Sequence, residues 1–73
     1  MNAYLAKKKY RKGAKIKVTT ERLDGYHNKI FEISDIDYFT TDGGTFIVRI
    51  FVQNDITYFY DSEVEVVKWT LTP

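Results

Sequence analysis

Short apolar runs in strict alternation with polar residues recur along this chain, and that period of two constrains its fold more than any other feature. Ala14, Ile16 and Val18 alternate with Lys15, Lys17 and Thr19. Phe46, Val48, Ile50 and Val52 alternate with Ile47, Arg49 and Phe51, and Val64 and Val66 alternate with Glu63 and Glu65. Successive side chains of a strand point to opposite faces, whereas a helix buries residues three and four apart. The side-chain types agree: seven Ile, six Val, eight Thr and twelve aromatic residues stand against three Leu and three Ala. Branched and aromatic side chains suit a pleated surface and lose rotamer freedom against a helical turn. The chain is expected to be all-β.

Reading along the chain gives five strands and no helix. The first covers 14–20, and a loop with Asp24-Gly25 follows over 21–28. A second strand starts at Lys29. Phe31 and Ile33 share one face, but Ile36 and Tyr38 have the opposite parity, which places a bulge or bend between Ser34 and Asp35. Thr41-Asp42-Gly43-Gly44 is a turn, because glycine takes positive φ without strain. The third strand, 46–52, is apolar on both faces and is expected to lie centrally, covered on both sides. Gln53 to Ile56 forms a tight turn, since Asn54 and Asp55 tolerate left-handed backbone. Ile56, Tyr58 and Tyr60 alternate in a fourth strand. Asp61 to Glu63 interrupts the pattern for one 3₁₀ turn. The fifth strand runs from Val64 to near Trp69, ahead of a tail over 70–73.

Seventy-three residues make one domain at most, with a small core. Five short strands are expected to close into a barrel, because closure removes exposed sheet edges. Residues 1–13 precede it as a loosely attached basic arm or short first turn, with Tyr4 or Leu5 available to cover one end of the core. The chain has no Cys, which excludes disulfides, thiolate nucleophiles and cysteine-ligated metals. No apolar run exceeds four residues, against the roughly 20 that a membrane helix needs. No apolar segment follows the basic N-terminus as a secretory signal would require. A soluble, cytoplasmic domain without a membrane partner is the expectation.

Two stretches together resemble the SH3-like β-barrel superfamily, and the first resembles its KOW type. Lys12-Gly13-Ala14-Lys15-Ile16-Lys17-Val18, then Gly25 and Lys29-Ile30-Phe31-Glu32-Ile33, follow the KOW order of a basic residue and Gly, a strand, a Gly-containing loop and a second strand. Asn28 stands where such segments usually carry a second Gly. Ile56 to Val67 is similar to the end of many such barrels, where an aromatic strand meets a 3₁₀ turn and an acidic–aliphatic last strand. The resemblance covers about residues 12–67 and implies a five-stranded antiparallel barrel. It implies no particular activity. The late Val-Gln-Ile-Tyr signature of the type II plasmid dihydrofolate reductases, which share this barrel type, is not matched at Val52-Gln53-Asn54-Asp55.

Catalytic chemistry finds little footing. His27 is the only imidazole, and no recognisable motif gives it a nucleophile; a surface loop histidine is the plain reading. Asp35 and Asp37 share a strand face near Asp42, yet lack the oxygen-ligand spacing of a calcium loop. Asp42-Gly43-Gly44-Thr45 lacks the Lys-Ser/Thr of a phosphate loop and precedes a strand rather than a helix. No catalytic residue, metal or cofactor is expected.

Charge position carries the most functional content. Lys+Arg is 11 and Asp+Glu is 10, a net of only +1. Residues 1–20 carry seven cations and no acid. Residues 21–73 carry four basic and ten acidic residues, a net of −6. Lys7, Lys8, Lys9, Arg11 and Lys12, with Tyr10 interleaved, form a candidate nucleic-acid-binding arm in which the cations neutralise phosphates and Tyr10 stacks. Lys15 and Lys17 are expected to face Glu63 and Glu65 across neighbouring first and last strands. The leading expectation is a non-enzymatic, nucleic-acid-associated accessory domain. The alternative is a protein-interaction module, a small regulator or an assembly subunit such as mobile elements encode. It would use Tyr26, Tyr38, Tyr58 and Tyr60 as anchors on a partner or on a second copy of the chain.

Overall fold

The strands built from these patterns are β1 (Lys15–Val18), β2 (Ile30–Thr40), β3 (Phe46–Val52), β4 (Tyr58–Tyr60) and β5 (Val64–Lys68), with a helix α1 (Ala3–Lys9) ahead of them and a 3₁₀ turn (Asp61–Glu63) before the last. They are seen in a computed structural model that describes residues 2–68; Trp69 and the expected tail 70–73 lie outside the described residues. β2 organises the rest. Its first residues pair with β1, Lys15 opposite Glu32 and Lys17 opposite Ile30. Its later residues pair with β3, from Ile33 opposite Val52 to Thr40 opposite Phe46. The register shifts between Ile33 and Asp35, so the parity change read in the sequence is a real insertion that turns one strand into a shared spine.

β3 pairs with β4 on its other side, and β1 pairs with β5, all antiparallel. The result is one five-stranded sheet in the order β4-β3-β2-β1-β5. The expected closure is not seen: β4 and β5 remain the two edges. β4 is also shorter than expected. Asp55 Oδ1 accepts the Thr57 N–H at 2.9 Å, which prolongs the turn, and Ile56 projects fully into solvent. With three residues, β4 has little length with which to reach another strand.

One face of the sheet carries the core. Ile16, Val18, Ile33, Val48, Ile50, Val52, Phe59 and Val64 are buried, and Ala14 joins them ahead of β1. Phe59 is the largest fully buried side chain, with the Tyr26 and Phe31 rings each 5.7 Å from it. The loop between β1 and β2 adds Leu23 and Tyr26. Asn28 holds this loop at φ 68°, supplying the left-handed turn that a glycine would otherwise provide. On the opposite face, Ile47, Arg49 and Phe51 of β3 are only half-buried. The expectation of a central third strand covered on both sides is not met: β2 holds the middle of the order, and β3, between β2 and β4, has its outer residues covered only by side chains of those neighbours.

The helix corrects the expectation of a loose arm. Asn2 caps it, its Oδ1 accepting the Leu5 N–H at 2.9 Å. Lys7, Lys8 and Lys9 fill the last turn, where the exposed carbonyls favour cations. Seven residues do not hold a helix in water by themselves. Ala6 and Tyr10, 0% and 4% exposed, pin this one to the core, whereas Tyr4 and Leu5 remain exposed.

Candidate nucleic-acid interface

Five of the seven N-terminal cations sit on α1 and the turn that follows it, and Lys15 and Lys17 are on the outward face of β1. The expected cross-strand pairing is realised only as register. Lys17 lies opposite Glu65, while Lys15 lies opposite Glu32 and Lys68. Glu63 turns away to Arg22. Among the described residues there are two side-chain ion pairs, Arg22–Glu63 and Arg49–Asp37. Neither uses any of the seven.

Three of these cations converge. Lys7, Arg11 and Lys12 line a surface hollow of about 230 Å³ together with Tyr10, Asp35 and Ile36. The proximity follows from the bulge. The Gly13 N–H donates to Ile33 O at 3.0 Å and the Ile33 N–H to Ala14 O at 2.9 Å, so the turn after α1 is tied to the bend in β2. Asp35 is the single anion in the hollow, and its Oδ1 accepts the neighbouring Ile36 N–H at 2.8 Å.

The aromatic partner expected for these cations is displaced. The Tyr10 ring belongs to the core, and burial pushes its phenol pKa up, so it offers no face to a ligand. Its cation neighbour is Lys9, with the ammonium 5.4 Å from the ring centroid, and two more-exposed rings meet other cations. The Lys7 ammonium lies 5.7 Å from the Tyr38 ring centroid, and the Lys8 ammonium lies 5.5 Å from that of Tyr4. Tyr38 is 37% exposed and stacks on Phe46 with centroids 5.7 Å apart. Sequence reasoning had no route to the Lys7–Tyr38 contact, because it depends on a helix too short to leave a period.

The four tyrosines expected to anchor a protein do not form one surface. Tyr26 packs at the rim of the core, its hydroxyl donating to Asp55 Oδ2 at 2.9 Å. That bond raises the phenol pKa, and it contributes with the Thr57 N–H to holding the Asp55 carboxyl below its usual range. Tyr38 belongs with the basic side. Tyr58 and Tyr60 do share the outer face, ring against ring at 5.7 Å. Around them is a cluster that the sequence reading did not assemble. Asp37 and Tyr60 flank Arg49 in register, and Tyr58 flanks Phe51. The Arg49 guanidinium donates to both Asp37 oxygens, Nε at 2.8 Å, and lies within 5.4–5.8 Å of the Phe39, Phe51 and Tyr58 rings. Asp37 is held below the ordinary carboxylate range by that bond, and Arg49 is raised in turn. The signal for this cluster was present: pairing β2 with β3 across the Gly43-Gly44 turn sets Asp37 opposite Arg49.

His27 has only a backbone neighbour, with Nδ1 3.3 Å from Thr20 O. Asp37 is committed to Arg49, so it does not converge with Asp35 on a cation. Among the described residues, no group of three or more His, Asp or Glu could hold a metal, and no helix is long and apolar enough to cross a membrane. No family model, curated protein or solved structure matches the chain.

Proposed function

We propose that the chain is a non-catalytic binding module that holds nucleic acid through the cationic surface of α1, the following turn and β1. The observation that carries this reading is the absence of any ion pair to Lys7, Lys8, Lys9, Arg11, Lys12, Lys15 and Lys17 among the described residues. Both arginines that do pair belong to the acidic remainder of the chain. Unpaired cations release counterions from a phosphate backbone, and Lys7, Arg11 and Lys12 already share one hollow, which supports salt-sensitive and weakly sequence-specific binding. The outer aromatic face is a poor rival for the same ligand, because Glu63 and Asp37 pair with Arg22 and Arg49 there.

The same proposal reads the fold as an SH3-like barrel that the described residues leave open. Three features support it: the first and last strands are neighbours, β2 serves both halves of the sheet, and a 3₁₀ turn precedes the last strand.

Amide chemical-shift mapping with a short oligonucleotide at low and high salt tests the function. Shifts over residues 7–17 that fade with salt are expected. Shifts centred on Tyr58 and Tyr60 that persist in high salt would replace this reading with a second one, a protein contact. What favours that second reading is the run of Phe39, Arg49, Phe51, Tyr58 and Tyr60, since aromatic and arginine side chains dominate protein interfaces. Salt-resistant self-association lost in Tyr58→Ala would support it.

A further inference from the structure

We infer that the nucleic acid is a single strand and that Tyr38 is the ring on which one of its bases stacks. The inference rests on the nucleic-acid reading above and specifies the form of the ligand. Tyr38 lies where the cationic hollow meets the far end of the β2–β3 hairpin. Phe46 stacks on its ring at 5.7 Å with an interplanar angle of 29°, and Phe46 is itself packed on the core. A ring supported in this way is already oriented, so little side-chain freedom remains to be lost when a base arrives. Yet 37% of the residue is still accessible.

Lys7 links the two halves of the site. It lines the hollow with Arg11 and Lys12, and its ammonium also lies 5.7 Å from the Tyr38 ring centroid. In a nucleotide, one sugar separates the base from the phosphate. A phosphate held by Arg11 and Lys12 would therefore leave its base within reach of Tyr38. Lys7 exchanges a cation–π contact for a charge-assisted bond to the phosphate as the base takes its place over the ring. Asp35 repels the phosphate from one wall of the hollow and so biases it toward the three cations. A duplex cannot use this arrangement, because its base faces are occupied by one another. It would engage the cations alone.

Fluorescence anisotropy separates the possibilities with three probes: thymidine and uridine homo-oligomers of about 15 nucleotides, near the upper span of one small barrel, and a duplex of equal length. Both single strands are expected to bind the full chain more tightly than the duplex. Tyr38→Leu should weaken single-strand binding roughly 10-fold, the loss of one stacked base, with an unchanged salt slope. Tyr38→Phe should bind as the wild type does, and the duplex should not respond to either change. A melting curve for Tyr38→Leu excludes unfolding as the cause. Equal binding of duplex and single strand, or wild-type single-strand affinity in Tyr38→Leu, overturns the inference and leaves the parent reading standing. Failure of all three probes to bind overturns both.

Discussion

Arg22 and Glu63, forty-one positions apart, form a bidentate ion pair that ties the long β1–β2 loop to the 3₁₀ turn, with Arg22 Nη2 at 2.9 Å from Oε1. Glu63 is 8% exposed and its Oε1 also accepts the Tyr60 N–H at 3.0 Å. That bond occupies the backbone of edge strand β4 at its last residue, which discourages another strand from pairing there. Glu63→Ala removes both bonds. It should destabilise the chain by about 1 kcal/mol, the net worth of hydrogen bonds lost from a carboxylate whose main donor, the half-exposed Arg22, returns to water. Urea denaturation measures this, and a loss within error of zero would show that the pair is ornamental to the fold.

The same carboxylate sets a pH dependence. Arg22, with the Tyr60 N–H as a smaller cause, holds the Glu63 pKa below that of an ordinary glutamate, and Arg49 does likewise for Asp37. The unfolded chain regains pKa values of about 4.3 and 3.9 for these groups, so it binds protons more readily than the folded chain does. Their stabilisation is therefore complete at neutral pH and is lost as pH falls from about 5 through the lowered folded values. Asp37 contributes less, because its side chain is 43% exposed and solvent screens the pair. The urea midpoint should fall between pH 6 and pH 3, and less steeply in Glu63→Gln. Parallel pH profiles for the two proteins would contradict the assignment.

Helix α1 should depend on one side chain. Tyr10→Ala opens a cavity where the helix meets the core, at about 2–4 kcal/mol by analogy with other large buried side chains. Exposed Tyr4→Ala should cost under about 0.5 kcal/mol. Hydrogen exchange in 3–9 should accelerate in the first variant and not the second. Retained protection in Tyr10→Ala would mean that the helix is held by something else.

These dependencies explain which parts of the structure could be read in advance. Period-two alternation marked all five strands, and the parity flip at Ser34 located the bulge, because both are local consequences of which side chains face inward. The Asp61–Glu63 turn was legible for the same reason. Helix α1 was not. Its seven residues bury only Ala6, with Tyr10 at the C-cap, rather than a periodic stripe, and its stability comes from contacts with residues far along the chain. The candidate site inherited that error: reading 1–13 as a loose arm offered Tyr10 to a ligand, whereas docking the helix buries Tyr10 and brings Lys7 to Tyr38. The Arg49 cluster was missed for another reason, since cross-strand neighbours appear only after the register is laid out.

Asn28 offers a compact check on the loop. At φ 68° a glycine is free of the steric cost that an L side chain bears, so Asn28→Gly should leave stability within a few tenths of a kcal/mol of wild type or raise it. Asn28→Val should cost about 1–2 kcal/mol, because a branched side chain resists the left-handed region. Equal stability of the glycine and valine variants would rule out the left-handed turn.

Binding of nucleic acid by N-terminal cations that form no ion pair is the proposal these residues carry. Its most direct measurement is the slope of log K against log salt for a short single strand, compared with a variant in which Lys7, Lys8, Lys9, Arg11 and Lys12 are glutamine. The account predicts a wild-type slope of about −3 to −5, for four to seven neutralised phosphates, and one near zero to −1.5 when only Lys15 and Lys17 remain. No detectable binding by the wild type at about 50 mM salt, or the same slope in both proteins, would contradict it.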